Sequence, residues 1–469
     1  MHNDKRTNRR QFLKKIAGFG GLAATGSVLN MTSANANGLE TLEKIDLRGS
    51  LNVNANGLLP NANSDQGIVL QKILNKAASE NKTVFLPAGD YFVSNITLPA
   101  NTRLMGVPGA SRLIYTGAGH FLMAEAGQHI EMNGIVIDGA NRSLGEYTQG
   151  AVHLSNIDHA IVENCRVIGS SKAGIYMTRS SGRIANCSIS GAAGDCAIFS
   201  IENKGLLITN NDISDCLNGG ILVHRWSMGE DNTIVTANRI RKILAGNGGT
   251  GQWGNGINIF RAGNVIVSNN HISDCAFSAI RGNGANNLQI MGNSCLRSGE
   301  TAIYSEFEFE GSLINSNIID GGSRGISIAN FLQGGRLSVV SSNLVRNIVA
   351  TGPYVEKSQP FGEGISVEAD CSVIGNVVEQ CATFGIMAGW GPYLRDVIIS
   401  NNVVRRVERG MYVSVVDGSG TTQITNNVIS TAQAGGIFGY EWNNLMTGDL
   451  LKTGADKYAH LTVSGNTLS

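Results

Sequence analysis

Gly-Ile-Tyr-Met-Thr at residues 174–178 and Gly-Ile-Asn-Ile-Phe at 256–260 are two copies of one short alternating phrase, and its spacing decides the fold. With the aliphatic residue after the small one as marker, the phrase falls at Val152, Ile175, Ile198, Ile221, Ile257, Ile280, Ile303 and Ile326. The steps are 23, 23, 23, 36, 23, 23 and 23. It continues through Ile365, Ile386, Met411 and Ile437 in steps of 39, 21, 25 and 26. A period of this size marks stacked repeats with loops spliced into a constant coil. Period-2 alternation rich in Val, Ile and Gly, with no ten-residue amphipathic pattern, means strands rather than helices. Two or three short strands and their turns per 23 residues make one coil of a parallel β-helix, each coil lying about 4.8 Å from the next. A leucine-rich horseshoe would repeat Leu, which this chain does not.

Each coil carries a second pulse in which Asn precedes an aliphatic residue by two: Asn211, Asn238, Asn270, Asn317, Asn402 and Asn427. At equivalent bends such amides stack and hydrogen-bond along the axis, and Asn and Gly tolerate the left-handed backbone of a tight corner. Cys165 and Cys187 follow Asn in consecutive coils, and Cys216 and Cys275 each close an Ile-Ser-Asp-Cys phrase. Cysteines repeating at one register read as buried thiols rather than as a disulfide framework. No CxxC or His/Cys spacing points to structural zinc.

Outside the repeats, residues 1–36 read as an export signal: Arg9-Arg10-Gln11-Phe12-Leu13-Lys14, a mildly apolar stretch from Ile16 to Leu29, and the small-x-small site Ala34-Asn35-Ala36. The paired arginines resemble the twin-arginine signal, which implies a periplasmic or secreted protein exported already folded. No other segment is apolar over a membrane-spanning length. Removing the six Lys and Arg and one Asp of residues 1–36 leaves 30 bases and 35 acids, a formal −5. No basic stripe remains for a nucleic-acid partner.

Residues 37–100 form an N-terminal cap and first coils, and 101–469 the solenoid, as one elongated domain. Ser64-Asp65 is placed to cap a helix with Ile68, Val69, Ile73, Leu74 and Ala77 on one face, before a strand, turn and strand over 83–93. Such a cover protects the open edge of the first coil. Val84-Phe85-Leu86-Pro87-Ala88-Gly89-Asp90-Tyr91 and Leu104-Met105-Gly106 after a capping helix resemble the pectin-lyase-like superfamily. The resemblance implies a right-handed coil and, commonly, lyase, epimerase or hydrolase action on acidic, uronate-containing polysaccharides. The Asp-Asp and Gly-His-Gly phrases of polygalacturonase-like hydrolases, the Asp-Pro-His of alginate epimerases and the clustered aspartates of calcium-dependent pectate lyases do not occur here. Fold alone does not establish a reaction.

The repeat also draws a surface. With the marker pointing inward, the residues one and three beyond it point outward and stack into two columns. Polar and aromatic groups gather in these columns between His224 and Glu368, bringing in Arg281, Asn283, Tyr304 and Glu306 with their neighbours Arg225, Trp226, Arg261, Glu308, Asn330 and Trp390. The two largest interruptions of the period, near 226–253 and 331–361, flank this patch, and insertions of that kind frame binding sites. Aromatic faces take the apolar side of a pyranose, and Arg grips a carboxylate bidentately. The Glu306-Phe307-Glu308-Phe309-Glu310 run, if displayed on one face, needs a cation such as calcium, bases or solvent to offset its repulsion. Two chemistries are open: Glu306 with Glu368 as an acid and base or nucleophile pair in glycoside hydrolysis, or His224, Tyr304 or Arg281 taking a proton α to a uronate for elimination or epimerisation. A non-catalytic β-helix that binds glycan or serves as an envelope scaffold is the alternative from another class. The sequence carries no haem, flavin, iron–sulfur or nucleotide motif.

Overall fold

The computed structural model describes residues 49–330, 335–354 and 361–469, a single parallel β-helix; the export signal proposed for residues 1–36 lies outside them. Three faces run the length of the solenoid. The first is a sixteen-stranded sheet from Ser50–Asn52 to Leu461–Ser464. The second starts at Gly89–Val93 and ends at Thr467–Leu468, and the third starts at Ile96–Thr97 and includes Ala173–Thr178, Asn255–Gly263 and Thr301–Glu306. Within each face a strand pairs in parallel with the equivalent strand one coil on, as Ile175 with Ile198 and Ile280 with Ile303.

All twelve marker residues are at most 1% exposed, so the repeating aliphatic is the core of the third face. The outward columns stack as the period requires: Asn258 pairs with Arg281, Arg281 with Tyr304 and Tyr304 with Ser327, while Phe260 pairs with Asn283 and Asn283 with Glu306.

The corner Asn residues form one continuous buried ladder. From Asn211 through Asn238, Asn270, Asn293, Asn317, Asn343, Asn376, Asn402 and Asn427, each side-chain amide donates to the Oδ1 of the next at 2.8–3.0 Å, the last to Asn466. The left-handed conformation falls on the residue before the ladder Asn, for example Asn210 at φ 56° and Asn269 at φ 56°. Upstream the same position is held by Cys187, whose backbone N–H donates to Asn211 Oδ1 at 3.0 Å. All eight cysteines are buried and free.

The N-terminal helix, α1, spans Gly67–Ser79, and Asp65 Oδ1 accepts the Gly67 N–H at 2.7 Å. One expectation is corrected. Leu70, Ile73, Leu74 and Ala77 face the core, whereas Ile68 is 76% exposed and Val69 only partly covered, so the buried stripe is rotated from the one read from sequence. The reason is helical spacing: Leu70 lies three and four residues before Ile73 and Leu74, whereas Ile68 lies five and six before them and falls on another side. Ile68→Lys is therefore expected to change stability by less than about 0.5 kcal/mol and Leu74→Ala to cost about 2–5 kcal/mol, read from urea midpoints.

At the far end the segment after Trp442 covers the third face. Asn444–Asp449 turns back antiparallel, Asp449 accepts the Gly436 and Ile437 N–H groups at 2.9 and 3.1 Å, and Thr447 accepts that of Gly439 at 2.8 Å. These acceptors satisfy donors that the next coil would otherwise have met. No helix among the described residues is long and apolar enough to cross a membrane.

Candidate active site

The regularity of the coils places a cavity of about 320 Å³ on the third face, lined in part by Arg281, Glu300, Tyr304, Glu306, Arg324 and Glu368. Its walls come from the two insertions. Thr250 belongs to the first, Tyr354 and Phe361 to the second, and the Tyr354 hydroxyl lies 3.0 Å from the Thr250 carbonyl oxygen and donates to Glu300 Oε1 at 2.9 Å. Two loops separated by 104 residues thus meet over one carboxyl group.

Two buried ion pairs organise the floor. Arg281 Nε donates to Glu306 Oε1 at 2.7 Å, and Asn283 Nδ2 donates to the same oxygen at 2.9 Å. Arg324 Nε donates to Glu363 Oε2 at 2.9 Å, with Glu363 fully buried. Tyr304 stands between them, its ring 5.3 Å from the Arg281 guanidinium. Burial alone would disfavour the charge on Arg281, but Glu306 more than offsets it and the guanidinium pKa is raised. Burial, followed by the nearby Glu306 charge, lifts the Tyr304 phenol well above its ordinary value. Burial also raises the Glu300 carboxyl, against the opposing hydrogen bond from Tyr354 and the charge of Arg281. The floor therefore holds one carboxyl biased toward its acid form and one carboxylate paired to arginine.

Of the residues singled out from sequence, Arg281, Tyr304, Glu306, Glu368 and Trp390 line the cavity and Asn283 bonds to Glu306. Glu368 Oε2 accepts the Asn330 N–H at 2.7 Å. His224, Arg225, Trp226 and Arg261 do not line it and group upstream on the same face. There Arg225 pairs with Glu202 at 2.8 Å, Arg261 Nη1 donates to the Trp226 carbonyl at 2.7 Å, and the His224 ring packs on Trp226 and Phe260. The reason is register: three coils lie along the axis from His224 to Glu306. The first interruption of the period begins inside a strand, because Gly219–Glu230 takes up extra residues as a bulge between His224 and Gly229.

The glutamate run is also corrected. The strand ends at Glu306, Phe307 turns left-handed at φ 65°, Glu308 is exposed away from the cavity and Glu310 opens the next strand opposite Arg336. The three carboxylates never share a face, so their supposed repulsion needs no cation. Among the described residues no three His, Cys, Asp or Glu side chains converge as a metal requires. Glu306 is turned to Arg281 and Glu368 to a backbone amide, so this donor set does not fit calcium.

The sequence reading missed Glu300, Arg324, Glu363, Tyr354 and Phe361. Arg324 and Glu363 each sit two residues before their marker, in Arg324-Gly325-Ile326 and Glu363-Gly364-Ile365, at buried positions outside the two outward columns. Tyr354 and Phe361 lie in an insertion that the period had located without indicating which of its side chains turn inward.

Among solved structures, the N-terminal fragment of bacteriophage phi29 gene product 12 is 16% identical, with 87% of this chain and 73% of that one covered at a TM-score of 0.56. An α-1,3-glucanase catalytic unit from Streptomyces thermodiastaticus is 13% identical, covering 89% and 69% at 0.46. The mannuronan C-5 epimerase AlgE6 A-module of Azotobacter vinelandii is 13% identical, covering 90% and 99% at 0.43. At such identities the likeness speaks to fold alone. No curated protein matches the sequence. The family described as the right handed beta helix region matches residues 123–248 and 229–394, more than half of the 469, and fits the three-faced parallel coil seen here. The chain belongs to the right-handed β-helix family.

Proposed function

We propose that the protein is an exported carbohydrate-active enzyme whose cavity cleaves a polysaccharide by acid and base chemistry. The observation that carries this is the contrast between two carboxyl groups in one loop-walled cavity: Glu300, biased by burial toward its acid form under Tyr354, and Glu306, ion-paired to Arg281. A buried carboxyl biased toward its acid form beside one that is ion-paired to arginine suits the acid and partner roles of glycoside hydrolysis. Glu300 gives its proton to the glycosidic oxygen as the C–O bond breaks. Water supplies the hydroxyl to the anomeric carbon and its proton passes to the Glu306 carboxylate; exchange with solvent then releases that proton from Glu306 and reprotonates Glu300, which restores both groups over one cycle.

Elimination and epimerisation find less support. Tyr304 holds its proton more firmly than an ordinary phenol, Arg281 is held charged by Glu306, and His224 is outside the cavity. The expectation of a uronate gripped by arginine weakens for the same reason. Both guanidinium charges facing the cavity are already countered by Glu306 and Glu363, while Arg281 Nη1 has no hydrogen-bond partner among the described residues, which favours an uncharged, hydroxyl-rich ring over a second carboxylate. Trp390 at the downstream rim offers an aromatic face. Export rests on the segment around Arg9-Arg10.

The test incubates the protein lacking residues 1–36 with neutral and uronate-rich polysaccharides and follows new reducing ends and unsaturated products. Saturated reducing ends from a neutral glycan support the reading. Unsaturated ends from a uronate polymer would replace it with elimination, and no product from any glycan would leave the binding scaffold.

A further inference from the structure

Upstream of the cavity the outward columns carry an unbroken series of rings. His153 meets Tyr176 at 4.8 Å, Tyr176 meets Phe199 at 5.5 Å, Phe199 meets His224 at 6.1 Å, and His224 meets Trp226 at 4.5 Å and Phe260 at 4.9 Å. None of them belongs to the core: His153, Tyr176, Phe199, His224 and Phe260 are half-buried and Trp226 is 65% exposed. At about 4.8 Å per coil the series spans roughly 24 Å from the His153 coil to that of Arg281, where the cavity begins.

Structural needs do not account for it. The first and second faces mix polar outward residues, as in Ser188–Ser190 and Arg239–Ile243, with exposed aliphatic ones such as Ile234, Val339, Ile318 and Leu344, and among the described residues neither stacks a comparable series of rings. Two polar atoms along the series lack a hydrogen-bond partner among the described residues, His224 Nε2 beside the rings and Asn258 Oδ1 at the step into the cavity. Those two atoms lie buried beneath the surface, and what the series presents outward is a run of ring faces, which matches the C–H faces of a pyranose chain. Burial lowers the His224 pKa, which leaves a neutral ring suited to hydroxyl groups at neutral pH.

We infer that His153, Tyr176, Phe199, His224, Trp226 and Phe260 form a stacking track that binds an uncharged pyranose polymer along the solenoid axis and feeds it to the cavity. The polymer is the occupant because the track is continuous with that cavity on one face and runs parallel to the axis. The inference rests on the glycan reading of the cavity but not on its catalysis.

The experiment is affinity electrophoresis and tryptophan-fluorescence titration of the full mature chain with neutral polysaccharides and their oligosaccharides, in the wild-type and in Glu300→Gln backgrounds. Trp226→Ala and Tyr176→Ser are each expected to weaken polymer binding about five- to tenfold in both backgrounds. The deficit should shrink as the oligosaccharide shortens below the length of the track. Circular dichroism and thermal midpoints identical to the parent establish that these outward substitutions leave the fold intact, with Phe199→Ser as a replacement should either variant misfold. Binding unchanged in folded variants, or no binding by any neutral glycan, overturns the track. Track-dependent binding without any product overturns the enzyme reading and leaves the track standing.

Discussion

Glu300→Gln is expected to lower the rate of glycan cleavage by about 10²–10⁴-fold while leaving the fold intact or slightly more stable. A positioned general acid contributes on that order. Glutamine keeps the shape and an oxygen to accept the Tyr354 hydroxyl, but has no proton to deliver. Glu300 is only 6% exposed, and burial raises its pKa in the folded state. A carboxyl shifted in that direction contributes stability that is fully present below its unfolded value and is lost as pH rises through its folded value. Above that point the wild-type bears the cost of a buried charge and the glutamine variant does not. On the proposed reaction, activity is expected to fall over the same interval, because there the acid form is the proton donor. A variant that is inactive and equally or more stable at neutral pH separates catalysis from folding, the usual trade at a strained site. If Glu300→Gln turned over glycan at the parent rate, the acid assignment would fall.

Asn293→Ala is expected to cost about 3–5 kcal/mol, an effect at the upper end of single substitutions. Asn293 Nδ2 donates to the Val267 carbonyl and to Asn317 Oδ1, both at 3.0 Å, and its Oδ1 accepts the backbone and side-chain N–H groups of Asn270 at 3.0 Å each. Asn293 is 1% exposed, so truncation strands donors and acceptors on three coils where water does not reach. The surface offers its own control. Asn287, Asn264 and Asn232 form a second, exposed amide stack at 3.0 and 3.1 Å, and Asn264 holds φ 59°. Asn264→Gly preserves that backbone and is expected to cost about 1 kcal/mol or less. Since solenoids open locally, the effect is read from hydrogen exchange of the Asn270 and Asn317 amides as well as from the urea midpoint. Equal costs for the two substitutions would contradict the buried ladder.

What the sequence made legible was the part of the molecule that repeats. The marker residues fixed the inward column, and with it the outward partners that set Arg281 beside Tyr304 and Asn283 beside Glu306. Translation by one coil determines those contacts, and period alone reveals it. The parts that failed are those where the period breaks. Trp226 and Arg261 were assigned to the cavity because the bulge after His224 lengthens a strand without displacing it toward Glu306. Glu308 was assigned there because nothing in the alternation of Glu and Phe announces the left-handed turn at Phe307. Glu300 and Glu363 were missed because they lie upstream of their markers at buried positions, outside the two columns that the period draws. Tyr354 could be found only by a contact between two insertions, and no periodicity encodes such a contact.

The central claim is that Glu300 acts as the proton donor of a glycan-cleaving cavity. It is tested most directly by following the Glu300 carboxyl by NMR in selectively labelled protein, identified by difference against Glu300→Gln, alongside the pH dependence of reducing-end release. The Glu300 carboxyl is expected to titrate above the ordinary glutamate value, with the basic limb of the rate profile tracking that titration. A Glu300 carboxyl titrating at or below the ordinary value, or a rate profile indifferent to it, would contradict the account.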